Sequence, residues 1–291
     1  MQDNIYVYII FWNKTRRFVF CLATGTDSWY SERKREAANM RERIETIPVN
    51  EGFDAHDECP FCNMERTVEQ RTIRYVLGAG ASYMEPDVRT ATDRAGFCRT
   101  HYKKMFDYGN PLGNALMMQT YLNGLMIEFE EQEKGYTPPA KKPLFGKKKQ
   151  EPQVNTLADW LAAKDCSCYL CERMGESMSR YYSTFFVLLK EPEFRAKVEG
   201  SKGFCMHHFG ELMRFAEKEL PEKHRQWFYT TVMELMKRNL NRVKDDLDHF
   251  VEMFDYRNAG SDWRNSRDAV ERTMQKLKGG YPADKPYRTD F

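Results

Sequence analysis

Cysteine and histidine residues recur along the chain at the short spacings that let two side chains bind one metal ion. Two Cys-x-x-Cys motifs alternate with two Cys-x-x-His motifs: Cys59/Cys62, Cys98/His101, Cys168/Cys171 and Cys205/His208. A Cys-x-x-Cys turn brings two thiolates together, and a Cys-x-x-His motif at a helix start adds a third thiolate and an imidazole. These four groups complete the tetrahedron that Zn²⁺ prefers in structural sites. The spacing therefore predicts two Cys₃His metal sites.

Further residues are shared by the two halves of the chain. Gly-Phe precedes Cys98 and Cys205, and a Glu-Pro-acidic-apolar-Arg segment begins at Glu85 and again at Glu191. The matched order of these elements indicates an internal duplication. We therefore expect each copy to close its own metal site.

The duplication assigns the ligands of the two expected sites. The first site should use Cys59, Cys62, Cys98 and His101, and the second should use Cys168, Cys171, Cys205 and His208. Cys166 and His207 have no counterpart of the same type in the first copy, so we interpret them as bystanders, and Cys21 as an ordinary thiol. Four protein ligands leave no position for water or substrate, which favours a structural role. We predict two zinc ions per chain, because iron sites are more often all-cysteine.

Three other patterns could carry chemistry. The Cys-x-x-Cys pairs could cycle between thiol and disulfide, as in a thiol-redox sensor or enzyme. Asp246 and His249 could present two metal ligands on one helical face, but a di-metal site needs carboxylates from other helices, so a solvated face is favoured. Tyr256 and Trp263 belong to an aromatic and charged segment that could bind a ligand or cover the end of the bundle. No nucleophile-histidine-acid arrangement can be assigned, so we favour a binding module and leave open whether the chain is an enzyme.

Composition bears on the class of partner and on location. The 291-residue chain has a formal net charge of +2, which gives no electrostatic case for nucleic-acid binding. No apolar run reaches the roughly 20 residues of a transmembrane helix. The longest run, residues 5–12, lacks the preceding basic residues of a signal peptide. We expect a cytoplasmic protein that does not bind membranes and whose partner is another protein, and its oligomeric state stays open.

A lysine- and proline-rich linker, residues 135–155, separates the two halves. It carries five lysines between Lys141 and Lys149. Such a segment cannot bury enough apolar surface to order itself. We favour a solvated spacer over a polybasic contact with RNA or a membrane.

Apolar residues recur at three- and four-residue intervals from Met40 onward, which predicts an all-α fold. Two of these stripes are long: one runs from Ala115 to Phe129 and the other from Phe228 to Phe254. We expect two helical modules, each held by a metal site and packed on long C-terminal helices. The expected boundaries are 40–134 for the first module, 135–155 for the linker, 156–256 for the second module with its long helix, and 257–291 for a last helix and tail.

Residues 1–39 do not match the pattern that follows. They contain two β-like runs, residues 5–12 and 18–23, and a charged segment. One interpretation is a mis-assigned start, with translation beginning at Met40, and the other is a small accessory hairpin. Residues 40–50 are expected to form an extended lead-in to the first Cys-x-x-Cys motif.

The stretch from Met40 to about Lys278 carries a family resemblance. It combines Glu58-Cys-Pro-Phe-Cys62 with two Gly-Phe-Cys-x-x-His motifs and with Phe254-Asp-Tyr-Arg257. In these motifs the chain resembles an uncharacterised family, a domain of unknown function, from clostridia and related Gram-positive anaerobes. The resemblance implies a bacterial protein with paired Cys/His motifs, and it implies no activity.

Overall fold

The computed structural model describes residues 9–13, 16–20, 44–136 and 156–282. The chain divides into two compact units, Met1–Arg43 and Ile44–Phe291. Cys21, residues 137–155 of the predicted linker and the tail after residue 282 lie outside the described residues. No helix within the described ranges is long and apolar enough to cross a membrane.

The described part of the first unit is a β-hairpin. Strands β1 (Ile9–Asn13) and β2 (Arg16–Phe20) pair antiparallel, with Ile9 opposite Phe20. Aromatic and β-branched residues, which favour extended backbone, are frequent in both strands. This is the accessory hairpin of the second interpretation, and a translation start at Met40 stays a prediction.

The described part of the second unit consists of α-helices with two short 3₁₀ turns. The first five helices are α1 (Thr46–Asp54), α2 (Pro60–Leu77), α3 (Pro86–Ala95), α4 (Arg99–Tyr108) and α5 (Pro111–Gly135). The next six are α6 (Thr156–Cys166), α7 (Tyr169–Leu188), α8 (Pro192–Gly200), α9 (Met206–Glu219), α10 (Glu222–Glu252) and α11 (Ala269–Lys278). The 3₁₀ turns are Ser82–Met84 and Tyr256–Asn258. The predicted all-α fold is confirmed for this unit.

Four helices begin directly after the first cysteine of a Cys/His motif. The cysteines at these N-cap positions are Cys59, Cys98, Cys168 and Cys205, and each has extended backbone. The Sγ of Cys205 accepts the backbone N–H of His208 at 3.3 Å. A helix N-terminus has unpaired N–H groups and a positive dipole end, so it favours a thiolate at this position.

The expected extended lead-in before the first Cys-x-x-Cys motif is wrong, because its second half begins α1. Pro48 lies in the first turn of this helix, where a missing N–H costs no intrahelical hydrogen bond. Val49 and Phe53, four residues apart, are both buried. The proline therefore marks a helix start rather than extended chain.

Helices α2 and α7 pack against each other in opposite directions. Phe61, at the start of α2, lies 4.6 Å from Tyr182, near the end of α7, between ring centroids. At the other end of the pair, the Arg173 guanidinium lies over the ring of Tyr75 at 5.9 Å. The CxxC motif at the start of each helix is therefore placed beside the far end of the other helix.

Two apolar cores flank the pair of antiparallel helices. The larger core is rich in aromatic rings, with Phe185 at its centre: its ring contacts Phe53, Phe61, Phe194, Phe204 and Phe228. The smaller core joins the end of α2 to α3, α4, α5 and the start of α7. Both cores contain residues from both predicted copies, so the copies share their interior.

Replacing Phe185 by alanine should destabilise the helical unit by about 3–5 kcal/mol, because a fully buried ring leaves a cavity among its neighbours. Guanidinium unfolding followed by circular dichroism would measure this change. Phe106, which is 79% exposed, supplies the matched control: Phe106→Ala should change stability by less than about 0.5 kcal/mol. Equal effects of the two substitutions would contradict the described core.

Candidate metal centres

The eight predicted ligands form two groups of four, and each group could hold a metal ion. Cluster 1 consists of Cys59, Cys62, Cys205 and His208, and cluster 2 consists of Cys98, His101, Cys168 and Cys171. Within each cluster, one candidate ligand atom from every residue lies within 4.8 Å of the others. Both clusters have the predicted set of three thiol groups and one imidazole.

The expected pairing of the motifs is wrong. We expected Cys59 and Cys62 to join Cys98 and His101, but each CxxC motif joins the CxxH motif of the other half. The reason is helix length. Helix α2 has 18 residues and α3 has 10, so the chain runs about 27 Å away from Cys59 and returns only about 15 Å.

The second half shows the same mismatch. Helix α7 has 20 residues and α8 has 9, which correspond to about 30 Å and about 14 Å. Each CxxH motif is therefore left away from the CxxC motif of its own half. Because α2 and α7 are antiparallel, it lies beside the CxxC motif of the other half.

Cluster 1 is fully buried. The Nδ1 atom of His208 lies 3.5 Å from the Sγ of Cys59, 3.4 Å from that of Cys62 and 3.2 Å from that of Cys205. The Sγ atoms of Cys62 and Cys205 are 3.7 Å apart. A Cβ on Gly279, which follows α11, would lie 3.3 Å from the Cys205 Sγ, so backbone of the chain covers this cluster directly.

Cluster 2 has nearly the same geometry but reaches the surface. The Nδ1 atom of His101 lies 3.3 Å from the Cys98 Sγ, 3.2 Å from the Cys168 Sγ and 3.3 Å from the Cys171 Sγ. The Sγ atoms of Cys98 and Cys171 are 3.9 Å apart. Cys168 and His101 are buried, whereas Cys98 is half-buried and Cys171 is exposed.

These separations suit four ligands around one ion. Metal–sulfur bonds of about 2.3 Å at tetrahedral angles place two sulfurs about 3.8 Å apart. A disulfide bond would instead hold the two sulfurs about 2.05 Å apart. The 3.7 Å between Cys62 and Cys205 and the 3.9 Å between Cys98 and Cys171 match the first arrangement.

A glutamate orients the histidine of each cluster, and both glutamates lie on α2. The Nε2 atom of His101 is 3.2 Å from Glu69 Oε1, and that of His208 is 3.5 Å from Glu65 Oε2. Glu69 is also bound by Lys104, at 2.5 Å and 2.6 Å. A carboxylate at Nε2 leaves Nδ1 as the ligand atom and raises its basicity. Sequence analysis missed both glutamates, although their four-residue spacing on one helix was visible.

The electrostatics divide the thiols of each cluster. Hydrogen bonds from Cys59 and Cys62 lower the pKa of Cys205, whereas hydrogen bonds with Cys205 and with Cys168 raise the pKa of Cys62 and of Cys171, respectively. Hydrogen bonds from Cys171 and His101 outweigh burial and lower the pKa of Cys168 to about 3. Burial disfavours a charged imidazole, yet hydrogen bonds to Cys168 and Glu69 raise the pKa of His101 to about 10. At His208, burial likewise lowers the pKa, but hydrogen bonds to Cys205 and Cys59 outweigh it and raise the pKa to about 11. A divalent cation would take the place of the proton that the imidazole holds, so its binding would release protons.

The neighbourhood of cluster 1 includes a buried ion pair that sequence analysis did not identify. Lys276 of α11 is 2% exposed, and its Nζ lies 3.3 Å from Glu58 Oε2. It also donates to the backbone carbonyls of Glu58 and Lys202, the latter at 2.5 Å. Glu58 and Lys202 lie close in sequence to the cluster cysteines, so α11 ties together the two segments that supply the cluster.

The remaining candidates of the sequence analysis lie outside the two clusters. Cys166 ends α6, is half-buried and belongs to no group of potential ligands in the described ranges. His207 is exposed and forms a third close group with Glu65 and His208, but both of those residues already serve cluster 1. The bystander interpretation of Cys166 and His207 stays a prediction.

The Asp246/His249 pair is not assembled into a metal site among the described residues. Asp246 accepts a hydrogen bond from Arg272 at 2.7 Å, and His249 Nε2 lies 3.0 Å from the carbonyl of Asp262. Tyr256 is 86% exposed, whereas Trp263 packs on Phe250 and Phe254. Trp263 therefore covers the end of the helix bundle, whereas Tyr256 is exposed to solvent and does not form a ligand site with it.

Fold and site together define a helical protein with two interlocked Cys/His clusters that could each hold a metal ion. The chain belongs to the Family of unknown function (DUF6062), whose model matches residues 40–284. No curated protein and no solved structure matches the chain. The expected membership of a family of unknown function is thus confirmed, whereas the expected bacterial, clostridial origin stays a prediction.

Serine substitutions in pairs should reveal which motifs share an ion. We expect the Cys62→Ser/Cys205→Ser variant to keep one of two bound metal ions, because both substitutions fall in cluster 1. The Cys62→Ser/Cys98→Ser variant should lose both ions, since it damages both clusters. Elemental analysis of purified protein measures the content. The opposite result for the two variants would show that each copy closes its own site.

Proposed function

We propose that the chain is a binding module whose helices are held in place by two structural zinc ions. The observation that carries the proposal is the pair of clusters, each with three thiol groups and one imidazole in tetrahedral reach. Such ligand sets favour zinc, and four protein ligands leave no position for a substrate. Thiolate sites suit a reducing compartment, so we place the protein in the cytoplasm.

The zinc ions would act as cross-links between the two halves of the chain. Cluster 1 joins positions as far apart as 149 residues, and cluster 2 joins positions up to 73 residues apart. A cross-link that closes a long loop removes more conformational freedom from the unfolded chain than one that closes a short loop. The interlocked pairing thus gives each ion a larger effect than pairing within one half would.

The same arrangement supports an internal duplication. In each half a long helix that follows a CxxC motif is succeeded by a short helix with proline at its first turn, and then by a helix that follows Gly-Phe-Cys. An exchange of CxxH motifs between two equivalent copies would produce the two clusters. We propose that the halves arose by duplication and that they fold only together.

The binding surface is the apolar stripe of α5. In this helix Gly113 and Met117 are buried, whereas the three-four stripe predicted by the sequence is largely exposed. Its exposed large side chains are Met118 at 44%, Leu122 at 54% and Phe129 at 46%, and Met126 at 55% extends the same surface. Contiguous exposed apolar side chains of this kind mark interaction sites in soluble proteins.

Charge selects the partner of this stripe. The last turns of α5 carry exposed Glu130, Glu131 and Glu133, and Lys134 is the one basic residue of the helix. A second copy in parallel would place these acids together, and an antiparallel copy would face them with an uncharged segment. An amphipathic helix with basic flanks would complement both the apolar stripe and the acidic end of α5. We therefore commit to such a helix of a partner protein as the occupant.

A synthetic Leu/Lys peptide with three-four apolar spacing should bind the protein, and a peptide of the same composition with scrambled spacing should not. Leu122→Glu with Met126→Glu should weaken binding at least about tenfold, because each buried leucine or methionine contributes about 1.5–3 kcal/mol. Fluorescence anisotropy of the labelled peptide measures the affinity. Ile127→Glu is the matched control, since Ile127 is 63% exposed on another face of α5.

Three outcomes would contradict this assignment. A Leu/Glu peptide that binds as well as the Leu/Lys peptide would remove the role of charge. A dimer in sedimentation experiments that the Leu122→Glu/Met126→Glu variant abolishes would assign the stripe to a second copy. Peptide binding that appears after residues 139–150 are deleted would assign it to the chain's own lysine-rich segment.

Thiol-redox sensing is the second candidate function, and the exposure of Cys171 favours cluster 2 as its location. Hydrogen peroxide would oxidise the thiolates of Cys168 and Cys171 to a disulfide, take up two protons and be reduced to two waters, and the zinc would leave. The cysteines of cluster 1 are buried and closed off by Gly279, so they are protected from the same reaction.

Under this second candidate, mild peroxide should release one zinc ion per chain quickly and the other slowly. A colorimetric zinc chelator measures the release. The Cys171→Ser variant, which keeps cluster 1, should release little over the same period. Equal rates for both ions, or no release before the protein unfolds, would dismiss the sensor.

A further inference from the structure

A cavity of about 710 Å³ opens between α10, α11, the segment that precedes α11, the segment between α8 and α9, and Glu58, and it contains none of the eight clustered residues. Its size lies within the range of small-molecule sites. Six cationic side chains line it, namely Lys202, Arg238, Arg242, Arg264, Arg267 and Arg272. Three carboxylates, those of Glu58, Asp246 and Asp268, face them. The cavity therefore has an excess of positive charge.

The carboxylates are already paired within the cavity wall. Arg272 binds Asp246 at 2.7 Å and Asp268 at 2.9 Å, and Arg242 binds Glu58 at 2.5 Å. These pairs hold two of the arginines in place. The positive charge of the other four cations, Lys202, Arg238, Arg264 and Arg267, is not balanced by a carboxylate at hydrogen-bond distance among the described residues.

Those cations are exposed to solvent. Arg238 donates to the backbone carbonyl of Glu199 at 3.0 Å, and Arg267 lies over the ring of Trp263 at 5.4 Å. Arg264 makes no side-chain hydrogen bond or ion pair within the described ranges. Its backbone has φ of 48°, a conformation that non-glycine residues rarely adopt. Strain of this kind is concentrated at functional sites.

The cavity also contains an acceptor that has no hydrogen bond. Glu58 is 4% exposed, and its Oε1 accepts no hydrogen bond in the described structure. The Nζ of Lys202 lies 3.9 Å from this oxygen, beyond hydrogen-bond distance. A buried carboxylate oxygen without a donor is costly, so a donor supplied by a ligand would stabilise it.

From these two observations we infer that the cavity binds a small phosphate ester that carries hydroxyl groups. The phosphate would bind the guanidinium groups of Arg264 and Arg267, which have no carboxylate partner among the described residues and suit bidentate binding of a phosphate. A hydroxyl group would donate to Glu58 Oε1. Among the described residues that line the cavity none is aromatic, so the site lacks a platform for stacked bases.

Two probes of equal charge separate the contributions of phosphate and hydroxyl. Glycerol 3-phosphate should bind to the full-length protein more tightly than n-propyl phosphate, by about tenfold, because it can donate to the buried carboxylate. Glycerol alone should give no measurable binding. Isothermal titration calorimetry at low ionic strength measures both affinities, and added salt should weaken them.

Substitutions identify the site. Arg264→Ala and Arg267→Ala should each weaken glycerol 3-phosphate binding about tenfold, since each removes a charge-assisted hydrogen bond. Both residues are exposed, so circular dichroism should show an unchanged fold. Arg225→Ala is the matched control, because Arg225 is paired with Glu222 and does not line the cavity. Its binding should equal that of the unaltered protein.

The inference is overturned if neither phosphate ester binds, or if Arg225→Ala weakens binding as much as Arg264→Ala does. Equal affinities for glycerol 3-phosphate and n-propyl phosphate would remove the role of Glu58. Binding to phosphatidylinositol vesicles without binding to the soluble ester would assign the cations to a lipid headgroup. Binding of single-stranded RNA alone would assign them to nucleic acid.

Discussion

The antiparallel packing of α2 against α7 is the constraint on which the rest of the helical unit depends. Each of these helices is about twice as long as the helix that follows it, so a CxxH motif cannot return to the CxxC motif from which its half started. Packing the pair in opposite directions brings each CxxH motif to the other half's CxxC motif. The two clusters and the shared aromatic core both follow from that geometry.

Helix α2 connects the two clusters chemically as well as spatially. It begins directly after Cys59 of cluster 1, and its Glu65 and Glu69 face His208 and His101, respectively. These glutamates are one turn apart, so a bend or shift of α2 would change the histidine orientation in both clusters. Lys104 compensates the charge of Glu69, whereas Glu65 has the more exposed position. Equal ligand sets therefore have unequal surroundings.

Local patterns in the sequence predicted most of the helices and all eight clustered residues, because capping, proline position and apolar spacing act over a few residues. Pairing between the motifs was predicted wrongly, since it depends on the relative lengths and directions of α2, α3, α7 and α8. The ion pair of Lys276 with Glu58 joins positions 218 residues apart, so no local sequence pattern could predict it. The prediction of an extended lead-in over residues 40–50 overlooked Pro48, because proline is compatible with a helix start as well as with extended chain.

Each cluster lies next to one of the two proposed surfaces. The stripe of α5 belongs to a helix that packs on α3 and α4, and Cys98 of cluster 2 lies between those two helices. The charged cavity is lined by Glu58, which precedes Cys59, and by Lys202, near Cys205, so both of its inner walls continue into cluster 1. Under the proposed zinc sites, loss of the ion from cluster 2 would act on the stripe more directly than on the cavity. Under the two proposals, this separation would let the chain change its partner-binding stripe while it keeps the phosphate-ester site.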